Sequence, residues 1–123
     1  MLASTFHSNN GQATPVVFLH GLLGSQEDWQ GVLTLLQNFP QFRPLTIDLP
    51  FHGKSEHIAC QDFSDLRTEL HQTLTALIGN QPFFLVGYSL GGRVALDYTF
   101  HADSPNPLGT ILEGANILSL IHI

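Results

Sequence analysis

The sequence predicts an α/β protein with a mostly parallel β-sheet that is covered by helices on both faces. Two observations support this fold class. Short apolar segments rich in β-branched and aromatic residues alternate with longer segments whose apolar residues recur every three or four positions. The short segments are apolar throughout rather than at every second position, as expected for strands of a parallel sheet that are buried on both faces.

Four segments have the length and composition of buried strands. Leu, Val, Ile, Thr and Phe predominate in them, and glycine or proline lies within each segment or directly beside it, as is common where strands begin and end. The predicted strands are Val16–His20, Arg43–Leu49, Pro82–Val86 and Leu108–Gly114.

Three amphipathic helices are predicted after the first three strands. The first begins at Ser25 and ends before Pro40, with an apolar stripe of Trp29, Val32, Leu33, Leu36 and Phe39. The second ends at Gly79 and has its apolar positions at Phe63, Leu66, Leu70, Leu74, Leu77 and Ile78. The third covers Leu90 to about His101.

Composition argues against several classes of partner. The chain has 123 residues, ten acidic and four basic side chains, and a net charge of −6. Because Lys and Arg form no cluster, we expect neither nucleic acid nor an anionic membrane to bind. Cys60 is the single cysteine, so no internal disulfide can form. The N-terminal segment lacks the basic flank and apolar centre of a signal peptide, and no segment has the roughly 20 apolar residues of a membrane helix. We therefore expect a cytoplasmic protein.

One serine stands at an abrupt change of pattern. Ser89 lies in Gly-x-Ser-x-Gly, between the predicted third strand and the helix that begins at Leu90. This arrangement is typical of a nucleophile elbow, a strained turn that raises the serine Oγ above the sheet while the glycines allow strand and helix to approach. We interpret Ser89 as a catalytic residue. The alternative is a glycine-rich turn without a catalytic role.

A second motif, HGLLG, directly follows the first predicted strand. In hydrolases with a nucleophile elbow, the loop at this position supplies one backbone N–H to an oxyanion hole, and the residue after the nucleophile supplies the other. Leu22 and Leu90 are the expected donors. Alternatively, Gly21 and Gly24 do no more than permit a tight loop.

Three motifs, in this order and spacing, resemble the N-terminal half of the α/β hydrolases: HGLLGS, DLPFHG and VGYSLGGR. The second departs from the superfamily's Asp-x-Pro-Gly-His-Gly-x-Ser at Phe51, which stands in place of a glycine. Within the superfamily, GYSLGGR is most similar to the 2-succinyl-6-hydroxy-2,4-cyclohexadiene-1-carboxylate synthases of menaquinone biosynthesis, and LEGAN at Leu112–Asn116 resembles their strand end. The resemblance covers about Val16–Asn116. It implies a truncated α/β-hydrolase fold and a lyase without cofactor that eliminates pyruvate from a small anionic substrate.

Arg93 and Tyr88 are candidate substrate-binding residues. Arg93 lies four residues after Ser89, so on a helix the two project to similar sides, and a guanidinium there could bind a substrate carboxylate. The resemblance implies a substrate with several carboxylates. The alternative for Arg93 is an ion pair with Asp97, one turn further along the helix. Tyr88 could present its phenol to the same pocket, or it could pack beneath the turn.

No histidine and carboxylate suited to assist Ser89 are evident after it in the chain. A serine hydroxyl needs a histidine within hydrogen-bond reach, and a carboxylate to orient that histidine. Asp97 and His101 lie on the helix that leads away from Ser89, and the other candidates are Asp103, Glu113 and His122. We interpret the earlier histidines as structural or exposed, with His20 shaping its loop, and their spacing matches no metal site. They are His7, His20, His52, His57 and His71.

We therefore expect residues 1–117 to be the N-terminal part of an α/β-hydrolase core domain, with the catalytic acid and histidine further along a longer chain. Residues 118–123, LSLIHI, are the translation of CTGTCTCTTATACACATC, an end sequence used in transposon-based library preparation. We expect them to be foreign to the protein, and the alternative is an ordinary apolar segment. Three hypotheses stay open: a pyruvate-eliminating lyase, a serine esterase, thioesterase or carbon–carbon hydrolase, and an isolated chain without activity.

Overall fold

A computed structural model describes residues 1–101 and 106–115 of the chain. The strands are β1 (Ser4–Phe6), β2 (Thr14–Leu19), β3 (Phe42–Ile47), β4 (Phe84–Tyr88) and β5 (Gly109–Glu113). The α-helices are α1 (Gln30–Leu36), α2 (Phe63–Ile78) and α3 (Leu90–His101), and short 3-10 turns occupy Gln26–Trp29 and Gly53–Ser55. Asp103, Asn116, His122 and the tail at 118–123 lie outside the described residues.

The five strands form one sheet in the order β1-β3-β2-β4-β5. The pairs β3–β2, β2–β4 and β4–β5 are parallel, and only β1 runs antiparallel, at one edge of the described sheet. The mostly parallel sheet is therefore confirmed. The four predicted strands are present with ends shifted by one to two residues, whereas β1 was not predicted because three residues carry no periodic pattern.

Helices cover both faces of the sheet, as predicted. Val17 and Leu19 of β2 pack in one apolar cluster with residues of α2 and α3. Their neighbours Val16 and Phe18 point to the opposite face, where they pack against Trp29 and other residues around α1. This alternation is the two-residue period of a strand, with both faces buried.

The first predicted helix was partly wrong. Ser25 does begin a helical segment, but the chain first makes the 3-10 turn and the α-helix ends at Leu36. Phe39 therefore lies beyond the helix and is exposed, and Val32 is also exposed. Only Trp29 and Leu33 of the predicted stripe are fully buried, because the tighter 3-10 turn changes the direction of the side chains that follow it. In contrast, α2 ends at Gly79 as predicted.

The third helix lies directly against the end of β2 because glycines leave room for the backbone. A Cβ on Gly91 would lie 2.5 Å from the carbonyl oxygen of His20 and closer still to that of Leu19. A Cβ on Gly87 would lie 2.7 Å from the Cα of Gly92. Real Cβ atoms do not make such contacts, so β4, α3 and β2 can adopt this arrangement only with glycine at these positions.

Replacing Gly91 with alanine should therefore destabilise the fold by about 3 kcal/mol, because the methyl group meets rigid backbone rather than a movable side chain. Gly31→Ala in α1 is the matched control, since its Cβ would meet nothing within 4 Å and should stabilise the helix by about 1 kcal/mol. Pulse proteolysis in urea, carried out on the longer chain that the sequence predicts, measures both. Equal stability of the two variants would contradict the close backbone packing.

Candidate active site

Ser89 occupies a sharp turn between β4 and α3. Its φ of 54° is in the left-handed region, which a residue with a Cβ rarely adopts. The turn is held by two hydrogen bonds, because the Ser89 N–H donates to the Glu113 carbonyl at 2.8 Å and the Ser89 carbonyl accepts from the Arg93 N–H at 3.1 Å. The strained turn expected from the Gly-x-Ser-x-Gly motif is therefore present.

The loop after β2 runs directly past this turn. A Cβ on Gly21 would lie 3.3 Å from the Cβ of Ser89 and 2.9 Å from the Tyr88 ring. Leu22, the next residue, and Leu90 line the same cleft. Within residues 1–101 and 106–115 neither backbone N–H donates to another residue, and the first N–H groups of a helix have no partner inside it. The predicted oxyanion donors thus lie on the loop after β2, which passes Ser89 at Gly21, and at the first residue of α3.

Two histidines connect the loop after β2 to the loop after β3. The His20 Nε2 accepts the Leu49 N–H at 2.9 Å and its Nδ1 donates to the Gly21 carbonyl at 2.8 Å. The His52 Nε2 accepts the Leu23 N–H at 2.9 Å and its Nδ1 donates to the Pro50 carbonyl at 2.9 Å. The two ring centroids are 5.0 Å apart.

Both hydrogen-bond patterns require a neutral ring with its proton on Nδ1. Burial lowers the pKa of His20, and the nearby His52 lowers it further, against opposing contributions from the Gly21 carbonyl and Asp48. His20 therefore shapes its loop, as the sequence suggested, and His52 supports the same loop from the other side.

Asp48, the first residue of DLPFHG, is a buried carboxylate for which no role was predicted. Its Oδ1 accepts the Gln26 N–H at 2.8 Å, and its Oδ2 accepts the Gln26 side-chain amide and the Lys54 N–H, each at 3.0 Å. Burial tends to raise the pKa of Asp48, but these hydrogen bonds outweigh it and lower the pKa. A Cβ on Gly53 would collide with this carboxylate, which explains the glycine there.

Large side chains border a cleft of about 580 Å³ beside Leu22 and Leu90. Two of them, Leu23 and Phe51, have left-handed backbone angles, with φ of 64° and 68°. At the position of Phe51 the superfamily motif has a glycine. The backbone conformation of Phe51 is one that favours glycine. The remaining lining residues are Leu49, Pro50, His52, Cys60, Gln61, Asp62, Phe63 and Leu66.

The predicted substrate-binding residues do not line this cleft. Tyr88 is half exposed and borders a second cleft, of about 440 Å³, with Gly21, Trp29 and Glu113 among its walls. Arg93 is partly buried on α3 and lines neither of the two clefts. The structure therefore brings Leu22 and Leu90 together at the larger cleft and places Tyr88 at the second, while Ser89 belongs to the lining of neither.

The alternative ion pair of Arg93 with Asp97 is wrong. Asp97 is buried and accepts two hydrogen bonds from Arg67 of α2, at 2.9 and 3.2 Å, and its Oδ1 lies 3.4 Å from the His101 Nδ1. Across the described ranges the Arg93 guanidinium has no hydrogen bond or ion pair. Asp97 and His101 are thus engaged with each other and with α2, and no described histidine ring hydrogen-bonds to Ser89.

Comparison with known proteins agrees with this geometry. A family profile described as the alpha/beta hydrolase fold matches residues 14–108. A Haemophilus influenzae protein, provisionally named a 2-succinyl-6-hydroxy-2,4-cyclohexadiene-1-carboxylate synthase, is 46% identical over 104 residues, which are 83% of this chain and 41% of the relative. The chain therefore spans about two fifths of that relative's length.

Solved structures show the same fold. MenH from S. aureus superposes with a TM-score of 0.75 and 29% identity, over 92% of this chain and 42% of the other. An esterase from Exiguobacterium antarcticum gives a TM-score of 0.79 and 25% identity, over 93% of this chain and 41% of the esterase.

None of the helices within residues 1–101 and 106–115 combines the length and the apolar character that a membrane span requires.

Replacing His20 with glutamine should reduce the loss of stability on acidification below pH 6.5. The pKa of His20 is lowered in the folded protein, so just below pH 6.5 the unfolded chain binds the proton more readily and stability falls with pH. Glutamine can accept the Leu49 N–H but does not titrate. Burial also lowers the pKa of His7, so part of the loss of stability on acidification remains in the variant.

Pulse proteolysis in urea at pH 5, 6 and 7.5, carried out on the full-length parent, measures this difference. His57→Gln, at an exposed position, is the control for removing a histidine and should behave like the wild type. If His20→Gln and the wild type lose the same stability between pH 7.5 and 5, the His20 ring does not cause the fall of stability with pH.

Proposed function

The chain belongs to the alpha/beta hydrolase fold family, and we propose that its parent protein is a 2-succinyl-6-hydroxy-2,4-cyclohexadiene-1-carboxylate synthase. The observation that carries the proposal is that Arg93 lies one helical turn from Ser89 and its strained turn. The Arg93 guanidinium has no partner among the described residues. The relatives that bear this name support it. A cytoplasmic location, as expected from the sequence, is part of the same proposal.

In the proposed reaction, Ser89 acts through a histidine and an acid supplied by the rest of the parent chain. This triad removes a proton from the substrate ring, a carbon–carbon double bond forms, and the carbon–oxygen bond to the pyruvate unit breaks, so that enolpyruvate leaves. As the carbon–oxygen bond breaks, its electron pair goes to the enolpyruvate oxygen, and the N–H groups of Leu22 and Leu90 donate to the oxygen on which negative charge develops. The reaction needs no acyl intermediate and no cofactor.

Arg93 and Tyr88 have binding roles in this proposal. A guanidinium can donate two parallel hydrogen bonds to one carboxylate, and such charge-assisted bonds are stronger than neutral ones. Asp97, the nearest acidic residue along α3, is occupied by Arg67, which leaves the Arg93 guanidinium available for a substrate anion. The half-exposed phenol of Tyr88 would contact the substrate from the second cleft.

A second candidate function is ester or thioester hydrolysis, with Ser89 as a nucleophile. The apolar lining of the larger cleft favours it, because a neutral acyl group gains from such walls. The Exiguobacterium antarcticum esterase shares the fold at 25% identity. Arg93 discriminates between the two functions, since a neutral ester gains little from a cation.

For the full-length parent, Arg93→Ala should weaken turnover of a multiply carboxylated substrate much more than hydrolysis of a small neutral ester. Losing one charge-assisted hydrogen-bonded contact costs roughly 1.5 to 3 kcal/mol, on the order of tenfold to a hundredfold in kcat/KM. Pyruvate release and p-nitrophenyl acetate hydrolysis measure the two activities. Lys54→Ala, which removes an exposed cation, is the control and should change neither. Equal losses for both substrates in Arg93→Ala would refute the binding role.

The isolated chain 1–123 should be poorly soluble and inactive. In the described part of the sheet β5 pairs only with β4, and Ile111 of β5 is 60% exposed, so a strand edge and apolar surface face water together. The two oxyanion donors alone stabilise only a small part of a transition state.

We expect no pyruvate release from this chain, and fluorophosphonate labelling no faster than that of a Ser89→Ala control. Rapid labelling of a soluble monomer that depends on Ser89 would overturn the expectation. It would mean that one of the chain's own histidines reaches the serine.

A further inference from the structure

Phe51 combines two features that neither folding nor packing explains. Its backbone is left-handed at a φ of 68°, where a phenylalanine is disfavoured and a glycine is not. Its side chain is 59% exposed, so the ring gains little from burial. A strained residue that persists without a structural benefit is a candidate for a functional contact.

The backbone around Phe51 is fixed by its surroundings. The Phe51 N–H donates to the Ser55 carbonyl at 3.1 Å, and the next N–H, that of His52, donates to the Leu49 carbonyl at 3.0 Å. Asp48 holds the Lys54 N–H from the other side of the turn. These bonds fix the backbone at Phe51, which lines the larger cleft together with Leu22 and Leu90.

Leu23, on the loop after β2, also has both a left-handed backbone and an exposed apolar side chain. It is 90% exposed, has a φ of 64°, and its N–H is held by His52. Two large apolar side chains are thus presented at disfavoured backbone angles to one cleft. Asp62 is the one acidic residue among the lining residues and no Lys or Arg belongs to them, so these walls suit carbon atoms rather than the carboxylates of a substrate.

We propose that Phe51 is a specificity-determining residue that stacks on the unsaturated six-membered ring of the substrate. The ring enters the cleft beside Leu22 and Leu90, while its carboxylates stay outside the cleft, where Arg93 is available. This inference rests on the proposed function for the identity of the ring. It commits to the substrate as the occupant of the cleft, rather than to another segment of the parent chain.

The test compares two dianions that differ only by a ring. Phthalate carries two adjacent carboxylates on a benzene ring, and maleate carries the same pair on a double bond. Calorimetric titration of the full-length parent should show phthalate binding about threefold to tenfold more tightly than maleate, the size expected for an offset-stacked ring pair. Phe51→Ala, which keeps the backbone strain, and Phe51→Gly, which relieves it, should both abolish this preference and leave maleate affinity unchanged.

Three further variants separate the causes. Phe51→Tyr keeps an aromatic ring and should retain the preference, and Leu35→Ala, which removes another exposed apolar side chain on α1, should have no effect. Arg93→Ala should weaken both dianions equally. A preference that survives in Phe51→Ala, or no preference in the wild type, overturns the inference. A lower melting temperature for Phe51→Ala with an unchanged preference would show that another segment covers the ring, which also overturns it.

Because the titration needs no turnover, it is independent of the proposed activity. If the parent releases no pyruvate but the ring preference still depends on Phe51, the proposed function fails and the stacking role stands. If pyruvate is released and the preference is insensitive to Phe51, the proposed function stands and the stacking role fails.

Discussion

The contact between the start of α3 and the end of β2 is the constraint on which the rest of the site depends. Gly91 leaves no room for a Cβ beside the Leu19 and His20 carbonyls, so strand and helix meet backbone to backbone. That contact sets the turn at Ser89, whose left-handed conformation no helix or strand would produce alone. It also brings Gly21 within reach of Ser89, and therefore places Leu22 beside Leu90. A single methyl group on this surface would separate the parts of the site.

Buried polar groups fix the loops that the glycines bring together. A loop at the carboxyl end of a sheet has few hydrogen bonds of its own, and a buried polar group without a partner is costly. Asp48 satisfies three donors, two from Gln26 and one from Lys54. The Nε2 atoms of His20 and His52 accept from the opposite loop, while each Nδ1 bonds within its own segment. The loop carrying Leu22 and Leu23 is thus held by both rings, through the Gly21 carbonyl and the Leu23 N–H.

Local pattern predicted most of the fold but not the contacts between distant residues. The end of the second helix could be placed because Gly79 is a local signal in the sequence. Its start is capped by Asp62, which accepts the Asp65 N–H, a local signal that the prediction did not use. Strand β1 could not, since its three residues are stabilised by pairing with β3. The strained turn at Ser89 was predicted from the Gly-x-Ser-x-Gly motif and the strand and helix on either side of it. The role of Asp48 and the pairing of Asp97 with Arg67 depend on side chains 22 and 30 residues apart in sequence.

The distribution of cations decides how a net-negative chain could handle an anionic substrate. Arg43 lies over the Phe6 ring at 3.6 Å and donates to the Ser8 carbonyl, and Arg67 is bound to Asp97. Of the remaining two, Lys54 is exposed on the turn after β3, and only Arg93 lies one helical turn from Ser89. Under the proposed function, the apolar walls of the larger cleft would contact the carbon skeleton of the substrate, and Arg93 would bind one of its carboxylates. A ring-bearing anion would use both parts, whereas a neutral ester or a small polar acid would use only one.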